Sequence, residues 1–126
     1  MTLRDVMAAH PERDTFDLDE LVAAIEAAST CAAACGTCAD SCLQEGMVDC
    51  ARSDLDCADV CRATAAVLSR PGPSGDGWRS LVETCITMCT ECAEECASHD
   101  DAHCQACAEA CRACAEACRA LLAVAD

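Results

Sequence analysis

Large apolar side chains are scarce in this chain: nine Leu, two Ile, seven Val and one Phe in 126 residues. Together with a formal charge of −15, so little apolar bulk would suggest disorder on composition alone. Positive charge is scarce too, with eight Lys plus Arg against 23 Asp plus Glu. Without a basic stripe, binding to nucleic acid phosphates is excluded, and the acidic surface reads as a solvated, self-repelling exterior. The first 14 residues carry neither an apolar signal core nor twin Arg, so a cytoplasmic protein is expected. No run is read as approaching the roughly 18 apolar residues of a membrane span. No Ser/His/Asp arrangement, phosphate loop or dinucleotide fingerprint is present, so the chain does not read as an enzyme.

Two small residues fill the gap: 27 Ala, a strong helix former, and 16 Cys. In a reducing compartment, cysteines at this density point to metal or redox chemistry rather than structural disulfides. Either Cys fills the core as a small hydrophobe, or something bound to Cys holds the core together.

The pattern predicts an all-α fold, an antiparallel up-down-up-down four-helix bundle with a short N-terminal helical extension. Residues 1–16 form the extension, in which Thr2 and Asp5 cap a turn or two and His10-Pro11 ends it. The bundle occupies residues 17–126. Its first helix starts at the cap Asp17 with Glu20 and runs over about Leu18–Glu45, with Gly46 following its C-terminus. The second runs over about Cys50–Ser69, and the Pro/Gly-rich segment 71–77 is a loop. The third spans about Trp78–Ser98. His99-Asp100-Asp101 is a tight connection whose acids are placed to cap the fourth helix, about Ala102–Val124. Short connections make consecutive helices antiparallel.

The cysteines share one register. Cys31, Cys35, Cys38 and Cys42 follow steps of 4, 3 and 4, as do Cys85, Cys89, Cys92 and Cys96. Cys104, Cys107, Cys111, Cys114 and Cys118 follow 3, 4, 3 and 4, and Cys50, Cys57 and Cys61 follow 7 and 4. These are a and d positions of a heptad, so every sulfur is expected to face the inner seam. Antiparallel packing gathers Leu21, Val22, Ile25, Val67, Leu68, Trp78, Leu81, Val82, Leu121 and Leu122 at one end, as an apolar plug. The opposite end gathers Met47, Cys50, Cys96, His99, His103 and Cys104, and reads as a mouth. His99 and His103 are read as metal ligands there, the alternative being two exposed loop histidines. Met47 and Met88 are read as packing. Asp54 stands at a seam position three before Cys57. Either the helix is rotated to expose it, which is the favoured reading, or it is buried and needs a partner or a metal.

Cβ atoms four residues apart on a helix are about 5–6 Å from one another, against about 3.5–4.5 Å for a disulfide. The Cys-x3-Cys pairs therefore suit a metal between two sulfurs better than an S–S bond. Zinc and iron–sulfur clusters require discrete sets of four ligands, and a continuous column of thiols does not divide obviously into such sets. Cu(I) is soft, accepts two or three thiolates, and allows sulfurs to bridge neighbouring ions. One Cu(I) per thiolate also neutralises the column, whereas Zn(II) on four thiolates leaves buried negative charge, which is costly. The expected ligand is Cu(I), multiple ions per chain, on the order of 16 at about one per thiol.

With segments such as Cys85-Ile-Thr-Met-Cys-Thr-Glu-Cys-Ala-Glu-Glu-Cys96 and Cys104-Gln-Ala-Cys-Ala-Glu-Ala-Cys-Arg-Ala-Cys-Ala-Glu-Ala-Cys118, the chain resembles the copper storage proteins. The resemblance to this cysteine-rich four-helix-bundle family, and to its cytosolic branch in particular, covers about residues 17–124. It implies Cu(I) on the inward cysteines, access at the His-bearing end, and a homotetramer of bundles. The second helix departs from the family pattern, with three cysteines and with Ser53 and Asp54 where a fourth would stand.

The expected function is high-capacity Cu(I) storage, with copper exchanged with a copper chaperone or low-molecular-weight thiols. Two alternatives remain open: a thiolate buffer of the metallothionein kind with zinc as its load, and an electron-transfer protein with iron–sulfur clusters.

Overall fold

The computed structural model describes residues 1–72 and 75–125, all of whose regular elements are helical. Two residues of the expected loop, Pro73 and Ser74, and the final Asp126 lie outside the described residues. Helix α1 is Leu3–Ala8, followed by a single 3-10 turn at Arg13–Thr15. The four long helices are α2 Leu18–Gln44, α3 Val48–Leu68, α4 Gly77–Ala97 and α5 Ala102–Val124. Helix α2 packs on α3 and α5, and α4 packs on the same two, so the four form a square in chain order.

Local chemistry sets the ends. Thr2 and Asp5 form a reciprocal capping box on α1, with Thr2 N–H donating to Asp5 Oδ2 at 2.8 Å and Asp5 N–H to Thr2 Oγ1 at 3.2 Å. Asp17 caps α2 by accepting from the Glu20 N–H at 3.0 Å. Gly46 (φ 79°) ends α2 in the left-handed region that only Gly enters freely. There the Met47 N–H reaches Cys42 O at 2.8 Å and the Gly46 N–H reaches Leu43 O at 3.3 Å, the paired bonds of a Schellman motif. That motif delivers the chain directly into α3, which begins at Val48, two residues before the expected Cys50.

Asp101 occupies the N-cap position of α5, but its carboxylate makes no capping hydrogen bond, contrary to expectation. Its main-chain oxygen accepts from Gln105 N–H at 3.0 Å. The Gln105 side chain turns back onto α4 and donates to His99 O at 2.6 Å and Ala97 O at 3.3 Å. The α4–α5 connection is thus closed by a glutamine rather than by an acid.

The two ends of the core differ as the register requires. Leu21, Val22, Ile25, Leu68, Val82 and Leu121 are buried at one end, and Thr64, beside them, satisfies its hydroxyl on Val60 O at 2.8 Å. Trp78, Leu81, Val67 and Leu122 are half-buried around them. The N-terminal segment contributes more to this plug than its sequence suggests. Met7 is buried in the core, Arg4 pairs with Asp19 of α2, and Phe16 meets Trp78 edge to face at 4.8 Å.

Helix α2 is long and apolar enough, by length and composition, to cross a membrane, which the sequence reading did not recognise. Its apolar character comes from Ala and Cys rather than from bulky residues. Half of the apolar stretch is buried inside the bundle, where Leu21, Ala24, Ala28, Cys31, Cys35, Cys38 and Cys42 face the core.

Candidate metal centre

All sixteen cysteines are buried and unbridged, none more than 1 % exposed. The four heptad registers therefore converge, and one layer shows how. Cys31, Cys61, Cys89 and Cys114 come one from each long helix, and their sulfurs all lie within 4.8 Å of one another. Neighbouring sulfurs in the column are 3.6–4.0 Å apart, as in Cys35–Cys111 (3.6 Å), Cys61–Cys89 (3.6 Å) and Cys31–Cys89 (4.0 Å). That is far beyond a disulfide bond length.

From the plug towards the mouth, the sets of four ligand atoms lying within 4.8 Å overlap. The layer just described shares Cys31 with Cys31/Cys35/Cys57/Cys111, which shares Cys35 and Cys111 with Cys35/Cys92/Cys107/Cys111. This in turn shares Cys107 with Cys38/Asp54/Cys96/Cys107, and Cys38 links that set to Cys38/Cys42/Cys50/Cys104 at the mouth. Quartets thus exist, but they cannot all be filled by separate tetrahedral ions because each lends a ligand to the next. Shared sulfurs suit bridged Cu(I) and are a poor match to independent Zn(II) or iron–sulfur sites. Cys85 and Cys118 extend the column on the plug side, with the Cys85 sulfur 3.9 Å from that of Cys114.

Protonation follows position. Burial raises the pKa values of Cys38, Cys50 and Cys104 at the outer end, that of Cys104 to about 11. Deeper in, a thiolate is stabilised where neighbouring S–H groups donate to it. Cys57 and Cys107 are both pulled below the ordinary thiol value, Cys111 being the foremost donor to each. Cys111 is pushed up in turn, foremost by Cys107.

Asp54 is the clearest departure from expectation. The favoured sequence reading exposed it, yet it is fully buried in the a/d series of α3, between Cys50 and Cys57. Its Oδ1 accepts from Cys92 at 3.1 Å, Cys96 at 3.2 Å and Cys107 at 3.3 Å, while Oδ2 has no hydrogen-bond partner. Burial raises its pKa from the ordinary carboxylate range to about 6, with thiol hydrogen bonds opposing the shift. A carboxylate with one orphaned oxygen, set among four sulfurs, is a further candidate ligand. Sequence spacing placed it on the seam but could not supply its partners, which come from α4 and α5.

The two histidines have different surroundings. His103, in the first turn of α5, places Nδ1 3.3 Å from Cys38 Sγ and 3.5 Å from Cys104 Sγ. On its other side, Nε2 lies 2.5 Å from Glu45 Oε1. The His103 side chain is 26 % exposed, so it links solvent to sulfurs that are themselves covered. His99 lies past the end of α4 with Nε2 3.6 Å from Glu95 Oε2. Among the described residues, no hydrogen bond joins His99 to a thiol. Met47 is half-buried and packs against the core, as expected.

The copper storage protein family matches residues 17–123. A copper storage protein from Streptomyces lividans, solved with 10 copper equivalents, is 42 % identical, covers 98 % of this chain and 99 % of its own, and superposes with a TM-score of 0.91. A cytosolic copper storage protein from the same organism, solved with five coppers, is 46 % identical over 83 % of this chain and 93 % of its own, with a TM-score of 0.79. The uncharacterized cysteine-rich protein YhjQ of Bacillus subtilis (strain 168) is 38 % identical over 92 residues, 70 % of this chain and 82 % of that protein.

Proposed function

This chain belongs to the copper storage protein family, and from that premise we propose that its sixteen cysteines and His103 are the Cu(I) ligands, with His99 on the rim where ions are received. Its function is high-capacity storage of Cu(I) on thiolates that line the bundle core. The observation that carries this reading is the unbroken run of overlapping ligand quartets from the plug to the mouth. A separate zinc load finds no support in that arrangement or among the relatives.

Loading is ion exchange without a change of oxidation state. A thiol gives its proton to water, the thiolate takes Cu(I), and the sulfur bridges to a second ion while the net charge of the column stays near neutral. The plug end is closed by bulky side chains, so ions pass through the end that carries His103. Asp54 supplies an oxygen donor midway, where a sulfur would otherwise stand. Residues 1–16 act as an extension that closes the plug, and residues 17–126 as the storage bundle. The role is that of a store rather than a catalyst.

Three further features belong to the same reading. The compartment is the cytoplasm, supported by the cytosolic relative from Streptomyces lividans. The assembly is a homotetramer of bundles, as the family resemblance implies, which would cover exposed apolar residues such as Leu43, Val48 and Leu55. Copper is exchanged with a copper chaperone or low-molecular-weight thiols.

Anaerobic titration of the reduced, metal-free protein with Cu(I) tests the proposal. Binding is expected to continue to roughly 16 equivalents, with thiolate-to-copper absorption growing throughout and the helical circular dichroism retained. Saturation at one or two equivalents, or displacement of bound Cu(I) by Zn(II), would overturn it.

A further inference from the structure

We propose that Glu45 is the positioning residue for His103, fixing the imidazole in the tautomer that presents an unprotonated Nδ1 to the mouth thiols. The proposal rests on the reading of His103 as a copper ligand. A carboxylate has only acceptor atoms, so the ring nitrogen 2.5 Å from Glu45 Oε1 must be the donor, Nε2–H. A neutral imidazole then has a lone pair at Nδ1, and Nδ1 is the atom 3.3 Å from Cys38 and 3.5 Å from Cys104. A thiol has an S–H to donate, and both sulfurs lie within hydrogen-bond reach of the same lone pair. Every hydrogen-bonding group in the set Glu45, His103, Cys38 and Cys104 is consistent with that one tautomer.

The base from which Glu45 reaches is firm. It is the C-cap residue of α2, its own N–H bonded to Ser41 O at 3.1 Å and Cys42 O at 3.2 Å, one residue before the left-handed Gly46. From there its side chain crosses to the start of α5, 58 residues away in sequence. The contact spans the mouth above Cys38, Cys42 and Cys104. His99 offers an internal contrast. Its glutamate, Glu95, lies one turn earlier near the end of α4, at the longer distance of 3.6 Å.

Carboxylates and carbonyls that orient a ligating histidine raise its basicity, and their loss typically costs about 10–100-fold in metal affinity. An arriving Cu(I) therefore meets a nitrogen already aimed at the sulfurs. As the ion binds, a Cys38 or Cys104 thiol proton leaves to water, while the Nε2–H bond to Glu45 is kept.

The test compares wild type, E45A, E45Q and H103A. Glu45 is 44 % exposed, so its substitution leaves the core intact. In the metal-free protein, nitrogen-15 NMR of the imidazole is expected to show the Nε2–H tautomer in wild type and in E45Q, whose amide oxygen accepts the same hydrogen bond. E45A is expected to show a mixture. One equivalent of Cu(I) supplied from a coloured chelator is expected to bind about 10-fold or more weakly to E45A and close to normally to E45Q. If H103A binds that equivalent like wild type, the reading of His103 as a ligand fails. If H103A is impaired while E45A matches wild type in tautomer and binding, the role of Glu45 is overturned. Equal impairment of E45A and E45Q with an unchanged tautomer also overturns it, because charge alone would then be responsible.

Discussion

The carboxylate of Asp54 accepts a hydrogen bond from the Cys92 thiol at 3.1 Å in the fully buried centre of the bundle. This acid interrupts a column otherwise built of sulfur, and its second oxygen has no partner. Both its burial and its position in the cysteine register carry measurable consequences.

Because burial raises the folded-state pKa of Asp54 from the ordinary carboxylate range to about 6, the metal-free native state binds a proton there that the unfolded chain has already lost. Stability is unaffected below about pH 4, falls as pH rises through about 4–6, and then levels off. A rise from about 4 to about 6 corresponds to roughly 3 kcal/mol. In denaturant titrations of reduced, metal-free protein, D54N is expected to gain on wild type across that window and keep the advantage at pH 7. Parallel pH profiles for the two proteins would refute this.

Substituting sulfur for the carboxylate completes the a/d series of α3. D54C is expected to take up about one additional Cu(I), at one ion per thiol. Cu(I) titration against a competing chelator, set beside wild type in the same buffer, gives the answer. An unchanged or lower capacity would mean that Asp54 already holds an ion as well as a cysteine would.

The mouth thiols enter loading in their protonated form, with Cys104 pushed up to about 11. Near pH 7, addition of the first Cu(I) equivalents is therefore expected to release about one proton per thiolate formed. Titrating lightly buffered protein with an indicator dye measures the release. Proton-free binding would place ionised thiols at the mouth.

Leu121 is fully buried in the plug, away from the mouth. L121A is expected to lose about 2–5 kcal/mol of stability in the empty state, while its Cu(I) capacity stays at the wild-type value. Chemical denaturation and copper titration of the same preparation separate the two effects. A parallel fall in capacity would show that plug and column are not independent.

Much of this arrangement was legible in the sequence because a heptad reports which face of a helix is buried without requiring knowledge of what lies opposite. The 4-3-4 steps of Cys85–Cys96 and the 3-4-3-4 steps of Cys104–Cys118 were enough to place those sulfurs inside, and α5 begins and ends where expected. The start of α3 was misplaced by two residues because Met47, its N-cap, makes no side-chain capping bond. The burial of Asp54 was not legible, since only the thiols of α4 and α5 make an acid tolerable there. Glu45 gave no signal, because its partner His103 lies 58 residues away in sequence. Nor could the spacing of His99 and His103 show that one meets thiols while the other sits beside Glu95. The contribution of Met7 and Phe16 to the plug was hidden for the same reason, as it depends on how the N-terminal segment folds back.

The separation of bulky side chains from sulfurs gives the empty molecule uneven cohesion. Leucine, valine and tryptophan hold the helices at one end like the bound spine of a book, while the other end has little hydrocarbon to keep its pages shut. Amide exchange in the empty protein should therefore be slowest near Leu21 and Leu121 and quicken towards Cys42 and Cys104, with copper abolishing the gradient. Fraying of the outer turns would let ions reach sulfurs that are covered in the closed form, and the cargo itself would then fasten the helices together.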